Sequence, residues 1–283
     1  GSMSTYAGSN SYPATITIPD PNQPATAGTV DSPVQDLANR TTFLAARISA
    51  HAESQAPLKY ECVDGDNIIF QPVYAAATYD TQPRYLEIAT PTTITKTAIE
   101  GGVPPIGSRT YYIYLYWDLG AGAPRFQLSL TVPDAYRVYK STGPAHLLVG
   151  IAQTSAAAKF VKVRGVRHSV WLLEPPQVLP PTAAPLGNQF DLSPRLPPIA
   201  DTVTLGCNAL TNISVPGAIQ AFAALSPNGI TPSDFKRLLL PSGLAGARAS
   251  EPVEIPLGAD KIVKFETNAA TTNLEAYLRG YTW

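Results

Sequence analysis

The stretch Tyr111-Tyr-Ile-Tyr-Leu-Tyr-Trp117, followed by Phe126-Gln-Leu-Ser-Leu-Thr-Val132-Pro133, decides the fold class. In the first segment Tyr112, Tyr114 and Tyr116 fall on one side of an extended chain. Tyr111, Ile113, Leu115 and Trp117 fall on the other. In the second, Phe126, Leu128, Leu130 and Val132 alternate with Gln127, Ser129 and Thr131. This alternation predicts antiparallel strands, each with one buried face and one wet face. Leu147-Leu-Val-Gly-Ile151 is continuously apolar and predicts a central strand, and Phe160-Val-Lys-Val163 and Arg167-His-Ser-Val-Trp171 extend the series. No amphipathic helix separates these runs, so a parallel sheet built from βαβ units is not expected.

Working outward, residues 57–173 read as a central antiparallel β domain, with further strands at Asn67–Gln71, Arg84–Ile88 and Thr92–Lys96. Residues 174–198 hold eight prolines and read as a stiff extended linker. Residues 199–283 carry short strand patterns split by turns such as Pro227-Asn-Gly229 and Pro241-Ser-Gly243. They predict a C-terminal β-sandwich or jelly-roll-like domain. Toward the N-terminus, residues 1–31 read as an extended arm rich in Ser, Thr, Pro and Asn. Its first three residues read as a tag remnant. Residues 32–56 hold the clearest helix, with Asp31 or Ser32 as N-cap and Pro33 in the first turn. There Val34, Leu37, Thr41, Leu44 and Ile48 step by 3, 4, 3 and 4. That is a heptad seam and a candidate oligomerisation surface, suited to a short trimeric coiled coil; it equally suits an ordinary amphipathic helix lying on its own domain.

Composition narrows the function classes. Hydrophobic residues make up 45% of the 283, ample for a core, while only 14% are charged, against about 25% in ordinary domains. Twenty basic and 21 acidic residues leave a net charge of −1. No basic face is available to neutralise phosphates, so no nucleic-acid partner is expected. The 28 prolines favour strands, turns and connectors over helices. No apolar run approaches the roughly 18 residues of a membrane helix, so membrane insertion is not expected. Cys62 and Cys207 are too few for a disulfide framework, and whether they pair is left open.

Three passages resemble tail-fibre, receptor-binding and baseplate-associated proteins of tailed bacteriophages and phage-like particles. They are Pro24-Ala-Thr-Ala-Gly-Thr-Val30 running into Leu37-Ala-Asn-Arg-Thr-Thr-Phe-Leu44; Leu148-Val-Gly-Ile-Ala-Gln-Thr154 with Phe160 and Arg167–Trp171; and Ile255-Pro-Leu257 through Leu278-Arg-Gly-Tyr281. The resemblance covers about a third of the chain. It implies a homotrimer on a virion tail, assembled in the bacterial cytoplasm. The N-terminal arm would meet other tail or baseplate proteins, and a distal domain would meet a host-surface glycan or protein. The chain is short for a full fibre and lacks a long repetitive shaft. A short fibre, a fibre tip, or a purely structural collar, baseplate or adaptor piece therefore all stay open.

No nucleophile elbow, phosphate loop, zinc-protease helix or paired Cys-x-x-Cys site occurs, so no enzyme activity and no cofactor or metal is expected. A glycan-degrading spike would need two facing carboxylates. The candidates are Asp64 with Asp66, Asp80 with Glu87, and Asp118 with Asp134. Asp64-Gly-Asp66 also reads as a plain turn. His51, His146 and His168 are widely spaced. The C-terminal cluster Tyr277, Arg279, Tyr281 and Trp283 has the composition of a binding hot spot and is the candidate receptor-binding surface. Equally, it suits a last strand whose aromatics close the core.

Overall fold

The computed structural model describes residues 35–41, 44, 58–79, 82–135, 139–142, 146–182, 188–211, 222–232, 235–240, 248–267 and 272–283. The described chain is mainly antiparallel β, with one helical segment at 35–41 and 44. The arm, Val34 and Ile48 lie outside the described residues.

The first half contributes β1 (Lys59–Cys62), β2 (Asn67–Phe70), β3 (Val73–Tyr79), β4 (Gln82–Ile88), β5 (Thr92–Thr95), β6 (Thr110–Asp118), β7 (Ala123–Ser129), β8 (Leu147–Gln153), β9 (Val163–Val166) and β10 (Ser169–Leu172). The proline-rich segment holds β11 (Gln177–Thr182) and β12 (Asn188–Asp191). The last third adds β13 (Thr202–Thr211), β14 (Phe222–Pro227), β15 (Lys236–Leu239), β16 (Arg248–Pro256), β17 (Ile262–Thr267) and β18 (Thr272–Thr282). Eight strands form a path β16-β13-β18-β10-β9-β1-β2-β5, and β11 joins β18 beside β10 to make nine. Separate sheets are β12-β17-β14-β15, β7-β6-β8 and the hairpin β3-β4.

Two expectations change. The nine-stranded sheet crosses the boundary drawn between the two β domains, because β10 of the first block pairs with β18 of the last. Nor does 174–198 act as a spacer: β11 adds to β18, β12 adds to β17, and Leu179, Leu192 and Leu196 are buried. Proline is tolerated in a strand only at an edge or an irregularity. Pro180 and Pro181 sit accordingly in β11, whose register with β18 shifts on both sides of Leu179.

The three-stranded sheet also departs from one-sided burial. Tyr111 through Leu115 are all buried, so β6 is covered on both faces. On β7 the alternation ends with the strand at Ser129, and Leu130 and Val132 are exposed. One face of this sheet meets β1. The Tyr60 hydroxyl donates to the Ile151 carbonyl (2.9 Å) and accepts from the Ile151 N–H (3.2 Å). The Tyr60 ring stacks on Phe70 at 5.0 Å, and Phe70 meets Phe126 of β7 at 4.6 Å. Space for that ring comes from two glycines. A Cβ on Gly165 would sit 2.1 Å from Tyr60 Cε1, and one on Gly150 would sit 3.0 Å from it.

Gly165→Ala should therefore destabilise the protein by about 1–3 kcal/mol, since the ring is pinned at its hydroxyl end and cannot retreat. Tyr60→Phe, which strands both polar groups of Ile151, should cost a similar ~1–3 kcal/mol. Urea melts of the two variants check this; midpoints equal to wild type would refute the wedge.

Candidate functional site

The predicted oligomerisation residues fall partly on described helix. Leu37 and Leu44 are 59% and 49% exposed, seven residues apart. Thr41 is exposed, and its hydroxyl donates to the Leu37 carbonyl at 2.9 Å, a local bond that turns it back on its own helix. Gln35 donates to Asn39 at 3.0 Å one turn on. The two leucines thus stand about half exposed, one heptad apart.

The predicted receptor-binding cluster is divided by its own strand. β18 runs in register with β13 from Thr272 to Leu278. It then skips, so that Thr204 faces Gly280 while Leu205 faces Leu278. Arg279 is the extra residue of a β-bulge, and a one-residue insertion reverses the side-chain phase. Before the bulge Leu274, Ala276 and Leu278 point inward; after it Tyr281 and Trp283 do. Tyr281 and Trp283 are therefore core residues, and this corrects the expectation that all four form one surface. Trp283 packs edge-on against His168 at 4.6 Å, and its backbone N–H donates to the His168 carbonyl. Tyr277 is half-buried and Arg279 exposed on the opposite, outer face. There Gln177 Nε2 donates to the Tyr277 hydroxyl and to Glu275, both at 3.4 Å, and Asn208 donates to Glu275 at 2.8 Å. Partial desolvation and the neighbouring Glu275 carboxylate hold the Tyr277 phenol above its ordinary pKa.

Sequence reasoning missed Trp171, which stands 46% exposed on that outer face, next to β18. The signal was available. In Ser169-Val-Trp-Leu172 the aliphatic residues alternate inward, which sends the indole out.

Asp64, Asp66, Asp118 and Asp134, four of the carboxylates considered for hydrolysis, are engaged in local bonds or ion pairs. Asp64 accepts from the Asp66 and Asn67 N–H groups, both at 2.8 Å, and from Asn67 Nδ2 at 2.7 Å. These bonds, the Asn67 side chain first, hold its carboxyl down at about 2. Asp66 is clamped by Lys96 at 2.6 Å and Lys159 at 2.8 Å. Asp118 closes its turn through the Gly120 N–H and meets Arg125 at 3.2 Å. Asp134 accepts from the Tyr139 N–H, and Asp80 lies outside the described residues. A buried cation, Lys140, is held by Glu100 at 2.5 Å. Burial pushes the Glu100 carboxyl up, but hydrogen bonds from Lys140 and Ser129 pull it below its ordinary value. His146 stacks on Tyr116 at 4.5 Å, and His51 lies outside the described residues. Cys62 and Cys207 are free and buried, and burial pushes the Cys207 thiol up to about 12.

An open cleft of about 740 Å³ separates the β6 end of the three-stranded sheet from the 193–198 segment, with Leu130, Val132 and Leu196 along it. Tyr112 lies at its base. Its hydroxyl is buried without a hydrogen-bond partner among the described residues, and burial raises its pKa.

Removing that unpaired group by Tyr112→Phe should leave stability unchanged or raise it by about 1 kcal/mol, because an unmatched buried hydroxyl only costs. A thermal melt with a clear loss would reveal a bond to this hydroxyl. For Asp64 the folded pKa, about 2, lies below the ordinary 3.8. Its contribution is fully present above 3.8 and disappears as pH falls through about 2. The stability gap between wild type and Asp64→Ala should accordingly hold above pH ~4 and close toward pH ~2. A gap independent of pH would refute the assignment.

Comparison with models of known protein families found none that matches, and no curated protein matches the chain.

Proposed function

We propose that this protein is a structural and host-recognition component of a phage or phage-like tail. It is a homotrimeric short fibre or fibre tip, joined at its N-terminal arm to other tail or baseplate proteins. Its C-terminal part is presented to a cell-surface glycan or protein. The observation that carries the reading is the helical strip of Leu37 and Leu44, each about half exposed and one heptad apart. Leaving such leucines in water forgoes about 1 kcal/mol apiece, which self-association in a short coiled coil recovers. Three copies together also multiply weak contacts to a repeated surface ligand.

Two further features support it. Charge is sparse and nearly balanced, which suits lateral packing in a particle. The last third, a jelly-roll-like sandwich in this reading, sets β12-β17-β14-β15 against β16 and β18, so the outer face of β18 rests on a stiff base. A purely structural role as collar, baseplate or adaptor piece has one observation in its favour. Tyr281 and Trp283 are buried, which removes two of the four aromatic and cationic candidates for recognition.

Light scattering on the whole chain should give about three times the 30.1 kDa of one copy. Leu37→Asp with Leu44→Asp should bring it to a single-copy mass without loss of β circular dichroism. A wild-type mass of one copy would sink the trimer. Adsorption of the fluorescently labelled protein to bacterial cells of several surface types separates recognition from a structural role: binding supports the first, and none supports the second.

A further inference from the structure

The outer face of the nine-stranded sheet carries a cross-strand row at one level. Glu61 of β1 faces Arg164 of β9, Arg164 faces Trp171 of β10, and Trp171 faces Gly280 of β18. Gly280 in turn faces Thr204 of β13, and Thr204 faces Glu254 of β16. Arg164, Trp171 and Glu254 are exposed in this row and Glu61 is half-buried, whereas Gly280 and Thr204 between Trp171 and Glu254 are buried.

Two glycines shape this face. A Cβ on Gly280 would lie 3.1 Å from Trp171 Cε3 and 2.5 Å from the Val170 carbonyl oxygen. The missing side chain lets the indole lean across β18 instead of standing upright between neighbours. A Cβ on Gly206 of β13 would lie 2.6 Å from Arg279 Nε and 3.4 Å from its Cζ. The arginine stem therefore reclines over β13 in the same way, and the bulge at Arg279 supplies the extra residue that delivers it there. Trp171 remains 46% exposed and Arg279 exposed, so both present broad surfaces to solvent. Arg164 is loosely paired with Glu61 at 3.5 Å, whereas Arg279 and Glu254 have no ion-pair partner among the described residues. The strip from Trp171 to Glu254 crosses three strand spacings, about 14 Å.

We infer that this strip is a saccharide-binding face that seats a neutral pyranose ring on Trp171. The inference deepens the recognition role proposed above and rests on it. A pyranose has an apolar C–H face that packs on an aromatic surface, and a rim of hydroxyls that needs donors and acceptors at its edge. Trp171 supplies the platform. Arg279 supplies a planar fork of donors, and the exposed Glu254 carboxylate supplies acceptors. One free cation and one free carboxylate leave the rim close to neutral, which favours an uncharged sugar over a phosphate or an acidic polymer. The length of the strip suits two or three linked rings. Because the site lies on paired strands rather than on a loop, it is formed before the ligand arrives and loses little entropy on binding.

The full-length protein is titrated with polysaccharides built from glucose, galactose, N-acetylglucosamine or rhamnose, and the intrinsic tryptophan emission is followed. Trp283 is buried and Trp117 half-buried, so Trp171 dominates any change on ligand contact. At least one neutral polysaccharide should bind saturably with a shift in emission. Trp171→Ala should weaken it about tenfold or more, Trp171→Phe less, and Arg279→Ala should weaken it in a Trp171 background. Trp171→Phe keeps an aromatic on a well-packed strand, so the comparison survives if Trp171→Ala fails to fold. The inference falls if no polysaccharide binds, or if Trp171→Phe and Arg279→Ala both bind like wild type. It also falls if either variant lowers the oligomer mass, since the face then joins copies of this chain. If the wild-type trimer adsorbs to cells while no polysaccharide binds, this site is refuted and the tail-recognition role is not. If the chain is monomeric and ignores cells, that broader role is what fails.

Discussion

The structure hangs on one tyrosine. Tyr60 stands on the nine-stranded sheet, yet its hydroxyl bonds both polar groups of Ile151 on the three-stranded sheet. The ring is held between Gly165, Gly150 and Phe70. Strand edges present unpaired backbone groups, and burying them unpaired costs several kcal/mol. A single phenol here answers one donor and one acceptor of β8 at once. Burial drives its pKa well above the ordinary tyrosine value, the backbone bond notwithstanding, so it stays a neutral hydroxyl able to donate and accept. The joint adds directed hydrogen bonds to the side-chain packing between the two sheets.

The second constraint is β18. Its full length pairs with β13 on one edge, while β10 and β11 share the other. A strand near the end of the chain therefore fastens pieces from residues 169–182 and 202–211 into one sheet. Nearly all of these pairings span long sequence separations, which makes loop closure the main entropic cost of folding. The bulge at Arg279 follows from the same role. It lets one strand keep its register with β13 while switching which side chains face the core.

That switch explains why the candidate surface was only half legible. Tyr277, Arg279, Tyr281 and Trp283 share odd numbers, and in a regular strand they would share a face. The bulge sends the first two out and the last two in, and a bulge depends on the partner strand. Trp171, by contrast, was readable from local alternation, because β10 is regular. The leucines of the helix were readable for a similar reason: 3.6-residue periodicity is local, and Leu37 and Leu44 stand about half exposed. The hydrogen bonds of Asp64 were foreshadowed by its Asp-Gly turn, while the clamp on Asp66 joins lysines 30 and 93 residues away.

By itself the amino-acid sequence determined the strand-rich character, the helix at residues 35–41 and the near-zero net charge. Each is a property of composition or of short-range spacing. Only the tertiary structure decided that the proline-rich segment is woven into two sheets, that both faces of Tyr111–Leu115 are covered, and that Tyr281 and Trp283 belong to the core. Those outcomes turn on which distant strands pair and in what register. Hydrogen bonding between strands is chemically alike for every residue, so register is chosen by the side chains of both partners and cannot be read from either alone.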